Sequence, residues 1–69
     1  MNITEKTFTD AQLECIQQIA NGFLQKRMPD TMERTQKAIE RHMANARKRI
    51  GAKNTVHLVA QCLRAGVIK

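Results

Sequence analysis

Apolar side chains recur along this chain at helical spacing. Between residues 8 and 23, Leu13, Ile16, Ile19, Ala20 and Phe23 repeat at three- and four-residue intervals and so share one face of a helix. The stretch FTDAQL supplies its start. Thr9 can accept a hydrogen bond as the cap, Gln12 can reach back to the Thr9 amide, and Phe8 can staple onto Leu13. Gly22 offers a left-handed stop, so the pattern predicts a first helix over about residues 10–21.

The following FLQKRMPDTMER is punctuated by Pro29, which would cost about 3 kcal/mol deep inside a helix and pushes Met28 away from helical angles. The economical solution puts Pro29 in the first turn of a short second helix that ends near Met32 or Glu33, with Asp30 favouring its positive end. Thr35 then caps a third helix that runs through QKAIERHMANARKRI to Gly51. Within it Ile39, Met43, Ala46 and Ile50 make one buried stripe, and Gln36, Lys37, Glu40, Arg41 and Ala44 share an exposed flank that Arg47 and Lys48 extend. Asn54 or Thr55 caps a fourth helix to about residue 65, closed by Gly66.

The fourth helix has two apolar stripes where a surface helix normally has one. Leu58, Val59, Cys62 and Ala65 form the first, and Val56, Ala60 and Leu63 the second. Either the core-facing surface is wide, or the second stripe is a dimer contact; the expectation adopted is a homodimer through Val56, Ala60 and Leu63. The elements together predict an all-α fold of four short helices with a helix-turn-helix, spanning residues 8–69 behind a flexible N-terminal tail at residues 1–7.

Composition changes this picture little, but charge changes it a good deal. The chain has 69 residues, near the size at which one apolar core is marginal, and its 42% apolar content is ordinary for a globular domain. No apolar run approaches the roughly 20 residues of a membrane span, and MNITEKT lacks the features of a signal peptide, so an intracellular, cytoplasmic chain is expected. The formal charge of +6 is unevenly placed. Residues 35–69 carry eight Lys and Arg against Glu40, a balance of +7, while residues 1–34 balance at −1. The second half is thus suited to approach a polyanion.

Other chemistry finds little support in the sequence. Cys15 and Cys62 form no CxxC pair and read as buried thiols. With His42 and His57 they lack the spacing of a zinc finger, so no metal and no cofactor is expected. No nucleophile and base pair, carboxylate pair or phosphate-cradling glycine loop indicates an enzyme.

From Phe8 to Ile68 the chain resembles, without a gap, the DNA-binding domain of the LuxR/GerE family of bacterial transcription regulators. FTDAQLECIQQIANG matches the family's opening helix, TQKAIERHMAN followed by RIGA holds the spacing of its turn and recognition helix, and AGVIK matches its closing Gly-Leu-Ile. Thr35, Ile39, His42, Asn45, Arg49, Ile50 and Gly51 fall on matched positions. The chain departs from the family at Met28-Pro29, at Ala38 and at Glu40, where a lysine or another groove-reading residue is usual.

The resemblance implies a free-standing, GerE-like regulator whose third helix lies in the major groove of double-stranded DNA. Gln36, Lys37, Glu40, Arg41 and Ala44 would face base edges, with Thr35, Asn45 and Lys48 nearer phosphates. His42 would sit at the edge of the helix packing. Glu40 could accept from a cytosine amino group or simply pair with Lys37. No small-molecule ligand domain accompanies the match. A second reading is an anti-activator that binds a larger LuxR-type regulator through the fourth helix or by covering its DNA-reading surface. Glu40 and Pro29 favour that reading, and the +7 half-chain disfavours it.

Overall fold

The N-terminal residues form the first placed element of the computed structural model, which describes residues 2–23 and 35–69. Glu5–Thr7 make one turn of 3-10 helix. The Thr4 hydroxyl accepts from the Lys6 amide at 3.3 Å, and Thr7 Oγ1 accepts from the Thr4 amide at 3.0 Å. Ile3 packs against the core. Within residues 1–7, which the sequence reading assigns to a tail, Thr4–Thr7 thus form a capped turn and Ile3 meets the apolar cluster.

The first helix, α1, spans Asp10–Ala20 and starts as its sequence predicts. Thr9 Oγ1 accepts from the Gln12 amide at 3.1 Å and Gln12 Oε1 accepts from the Thr9 amide at 3.0 Å, so two otherwise orphaned donors are satisfied reciprocally. Phe8 is buried and Leu13 packs against the same cluster, consistent with the expected staple. The helix ends at Asn21, and Gly22 then takes a φ of 95°, which an L side chain rarely adopts.

The next described helix, α2, spans Gln36–Ile50 with Thr35 as its cap and Gly51 in the left-handed region at its end. The last, α3, spans Thr55–Ala65; between the two caps left open by the sequence, the structure uses Asn54, whose Oδ1 accepts from the His57 amide at 2.8 Å. Among the described residues there are three α-helices, one 3-10 turn and no strand, an all-α arrangement. The second helix expected around Pro29 lies outside the described residues. No described helix is long and apolar enough to cross a membrane.

All three helices contribute to one core: Phe8, Cys15, Ile16, Ile39, Met43, Ala46, Leu58, Cys62 and Ile68 are buried together. Each of the larger aliphatic side chains contributes about 1.5–3 kcal/mol by leaving water. The expected stripes are largely reproduced, with Ile50 and Val59 half-buried at their margins. Ala65 is an exception: it is exposed, because it is the last residue of α3 and the chain turns at Gly66.

Long-range polar contacts close the fold at both ends. Gln17 acts as a surrogate backbone for the C-terminal segment: its Nε2 donates to the Lys69 carbonyl and its Oε1 accepts from the Lys69 amide, both at 2.8 Å. This clamp holds the adjacent Ile68 in the core. At the other end Arg49 Nε donates to the Thr7 carbonyl at 3.1 Å and ties the N-terminal turn to α2.

Candidate nucleic-acid interface

Helix α2 has a buried side and a charged side because its apolar residues repeat every three or four positions. At about 100° per residue, Ile39, Met43, Ala46 and Ile50 occupy a narrow arc against the core, and Gln36, Lys37, Glu40, Arg41, Ala44, Asn45 and Lys48 spread over roughly half of the opposite circumference. The structure leaves Gln36, Lys37, Glu40, Arg41, Asn45 and Lys48 exposed and Ala44 half-buried on that face. Thr35 is exposed at its start, with its hydroxyl oxygen accepting from the Ala38 amide at 3.1 Å. All eight residues expected to meet nucleic acid therefore lie on α2 or at its cap, with Lys37, Arg41 and Lys48 close to one line along the helix and Gln36 and Asn45 on opposite flanks.

The cations of this helix divide into two sets. Arg47 is half-buried and donates from Nη1 to Thr55 Oγ1 at 3.3 Å, linking the end of α2 to the first residue of α3. Arg49 is committed through Nε to the Thr7 carbonyl. Lys37, Arg41 and Lys48 are exposed and make no hydrogen bond or ion pair to any described residue. Arg47 had been grouped by sequence with the exposed charge; its side chain instead joins two helices.

Glu40, the lone acid of the helix, does not pair with Lys37. Its Oε1 accepts from Gln36 Nε2 at 3.4 Å, one helical turn back. This long, exposed contact holds the carboxylate weakly. Lys37 and Glu40 therefore both remain available to an outside partner. His42 is half-buried at the margin of the packing.

The expected dimer residues lie on a different face. Val56 is 78% exposed and Leu63 48% exposed, while Ala60 is half-buried. With Ile19, Ala20 and Val59 they line an apolar groove of about 380 Å³ between α1 and α3. Burial raises the Cys62 thiol above its ordinary pKa, and both cysteines are free and buried. Among the described residues no three His, Cys, Asp or Glu side chains gather where they could hold a metal ion.

Sequence reasoning did not single out the N-terminal turn. A groove of about 480 Å³ runs between that turn, the start of α1 and the C-terminal half of α2, with Lys6, Asn45, Lys48 and Arg49 on its walls. The signal was present in TEKT, whose two threonines bracket one turn, but such a short motif is common in loops. No protein-family model, curated protein or solved structure matches the chain.

Proposed function

We propose that this chain is a sequence-specific DNA-binding regulator of transcription, a helix-turn-helix domain of the LuxR/GerE kind. In this reading α2 enters the major groove and two copies associate through α3. The observation that carries the reading is the division of cations on α2. The fold commits Arg47 Nη1 to Thr55 and Arg49 Nε to the Thr7 carbonyl, whereas Lys37, Arg41 and Lys48 are exposed and make no hydrogen bond or ion pair to a described residue. An exposed lysine or arginine gains little from solvent alone, whereas each one placed on a phosphate releases condensed counterions.

Within that face the roles differ by position. Gln36, Lys37, Glu40, Arg41 and Ala44 lie within the first nine residues, the part of a recognition helix that reaches base edges. Arg41 can donate two parallel hydrogen bonds to guanine O6 and N7, and Glu40 can accept from cytosine N4. Thr35, Asn45 and Lys48 flank this region and suit phosphate contacts, which fix register without reading sequence.

Selection of bound duplexes from a random pool tests the reading directly. The expected product is a twofold-symmetric site whose half-sites are centred about 10–10.5 base pairs apart. A pool that shows no enrichment, or an isolated half-site, counts against it. The apolar groove of α3 also fits the second reading, in which a larger LuxR-type regulator takes the place of the second copy. Stoichiometric binding to such a regulator, together with absent DNA binding at low salt, would favour the anti-activator.

A further inference from the structure

We propose that the groove between the N-terminal 3-10 turn and the C-terminal half of α2 seats a phosphate of the DNA backbone, which makes residues 6–9 part of the nucleic-acid interface. The inference rests on the DNA-binding reading above and extends the contact surface beyond the recognition helix to a segment far from it in sequence.

Three cations converge on this groove, and no acidic side chain lines it among the described residues. Lys6 and Lys48 make no side-chain hydrogen bond or ion pair to a described residue. Arg49 is anchored by its Nε on the Thr7 carbonyl, which fixes the guanidinium at the groove and leaves its Nη groups free to donate. The start of α1 is closed by its own Thr9 and Gln12 cap, so the attraction for an anion comes from the cations. The groove, of about 480 Å³, is open to solvent, so an anion can enter it without displacing protein.

Continuity with the recognition face selects DNA as the occupant. Asn45 and Lys48 belong both to the exposed arc of α2 and to the wall of the groove. A strand whose bases face Lys37 and Arg41 would pass Lys48 next, and the groove lies beside it. Lys6 is then the far wall of the same backbone path. The N-terminal turn is held in place for this by the Thr4 and Thr7 cap and by Arg49.

Lys6 is the clean probe, because its exposed side chain makes no hydrogen bond or ion pair to a described residue. Binding of wild type, Lys6→Gln and Lys6→Arg to a random duplex is measured by fluorescence anisotropy across a salt series, with amide spectra recorded with and without the duplex. Loss of one phosphate contact should lower the salt slope by about 0.9, so the affinity lost by Lys6→Gln between 50 and 200 mM salt is roughly 3.5-fold smaller than for wild type. Lys6→Arg should keep the slope, and the amides of Lys6, Thr7 and Thr9 should shift with those of α2. If wild type binds and the α2 amides move while residues 6–9 stay still, or if Lys6→Gln leaves the slope unchanged, the groove proposal is overturned and the DNA-binding reading stands. If wild type does not bind duplex at low salt, both are overturned.

Discussion

Replacing Val56 and Leu63 together with lysine tests the dimer, and the structure sets how strong that dimer should be. Complete burial of a Val or Leu side chain is worth about 1.5–3 kcal/mol. Scaled by an exposure of 78%, Val56 has about 1.2–2.3 kcal/mol left to gain, and Leu63 at 48% about 0.7–1.4 kcal/mol. Two protomers together reach about 4–8 kcal/mol, against a cost of about 4–15 kcal/mol for lost rigid-body freedom. At the favourable end of both ranges the margin is about 4 kcal/mol, and elsewhere it vanishes. These side chains alone therefore support a dimer at about millimolar concentration at best, and a stable pair forms when two half-sites on one duplex hold the copies at millimolar effective concentration. Sedimentation velocity should show wild type largely monomeric at micromolar levels and associating as it approaches about 1 mM. Val56→Lys with Leu63→Lys should remain folded, since both positions are exposed, stay monomeric throughout, and bind a symmetric site without cooperativity. A double variant that sediments and binds the symmetric site as wild type does would refute the assignment of this face. A wild-type dimer persisting at nanomolar concentration would refute the energetic reasoning.

Arg41→Ala should cost about 1–3 kcal/mol on the preferred site and little on random DNA, measured by paired anisotropy titrations; equal losses on both would make it a phosphate contact. Glu40→Ala should tighten binding to random duplex and relax selection at one operator position, whereas uniform tightening with unchanged preference would show that the carboxylate reads no base. Thr9→Ala opens the α1 cap and should cost about 1 kcal/mol, which thermal denaturation would register as a fall in Tm of about 4–8 °C. The raised Cys62 thiol stays protonated in the folded state beyond the pH at which the unfolded chain ionises, so folding holds the extra proton above 9.0, the thiol's ordinary value. Stability from this group is complete below that pH and declines as pH rises through the folded-state value; in urea titrations Cys62→Ala should flatten the decline, and an unchanged profile would exclude the thiol as its source.

Local chemistry made the three described helices legible in the sequence. Each starts at a side chain that caps it and ends near a glycine, and these signals act within four residues of one another. The FTDAQ cap was readable in full because both partners of the capping box are spelled out. The contacts that join elements were not legible. Gln17 meets Lys69 across 52 positions and Arg49 meets Thr7 across 42, and no periodicity encodes a pairing at that range. Glu40 shows the same limit at short range. Lys37 at three residues and Gln36 at four were both within reach, and only the side-chain geometry selected Gln36. The exposed face of α2 followed from the position of the apolar stripe; the partition of its cations into free and committed members did not, because it depends on where Thr55 and Thr7 lie in space.

The hydrogen bond from Arg47 to Thr55 joins the helix proposed to read DNA to the helix proposed to pair with a second copy. In a twofold assembly that joint fixes the angle at which the two reading helices leave the symmetry axis, and thereby the pitch and spacing of operator they match. A residue that touches neither base nor partner would then set the geometry of the target. Loosening it should broaden the range of tolerated half-site spacings while leaving the sequence of each half-site unchanged.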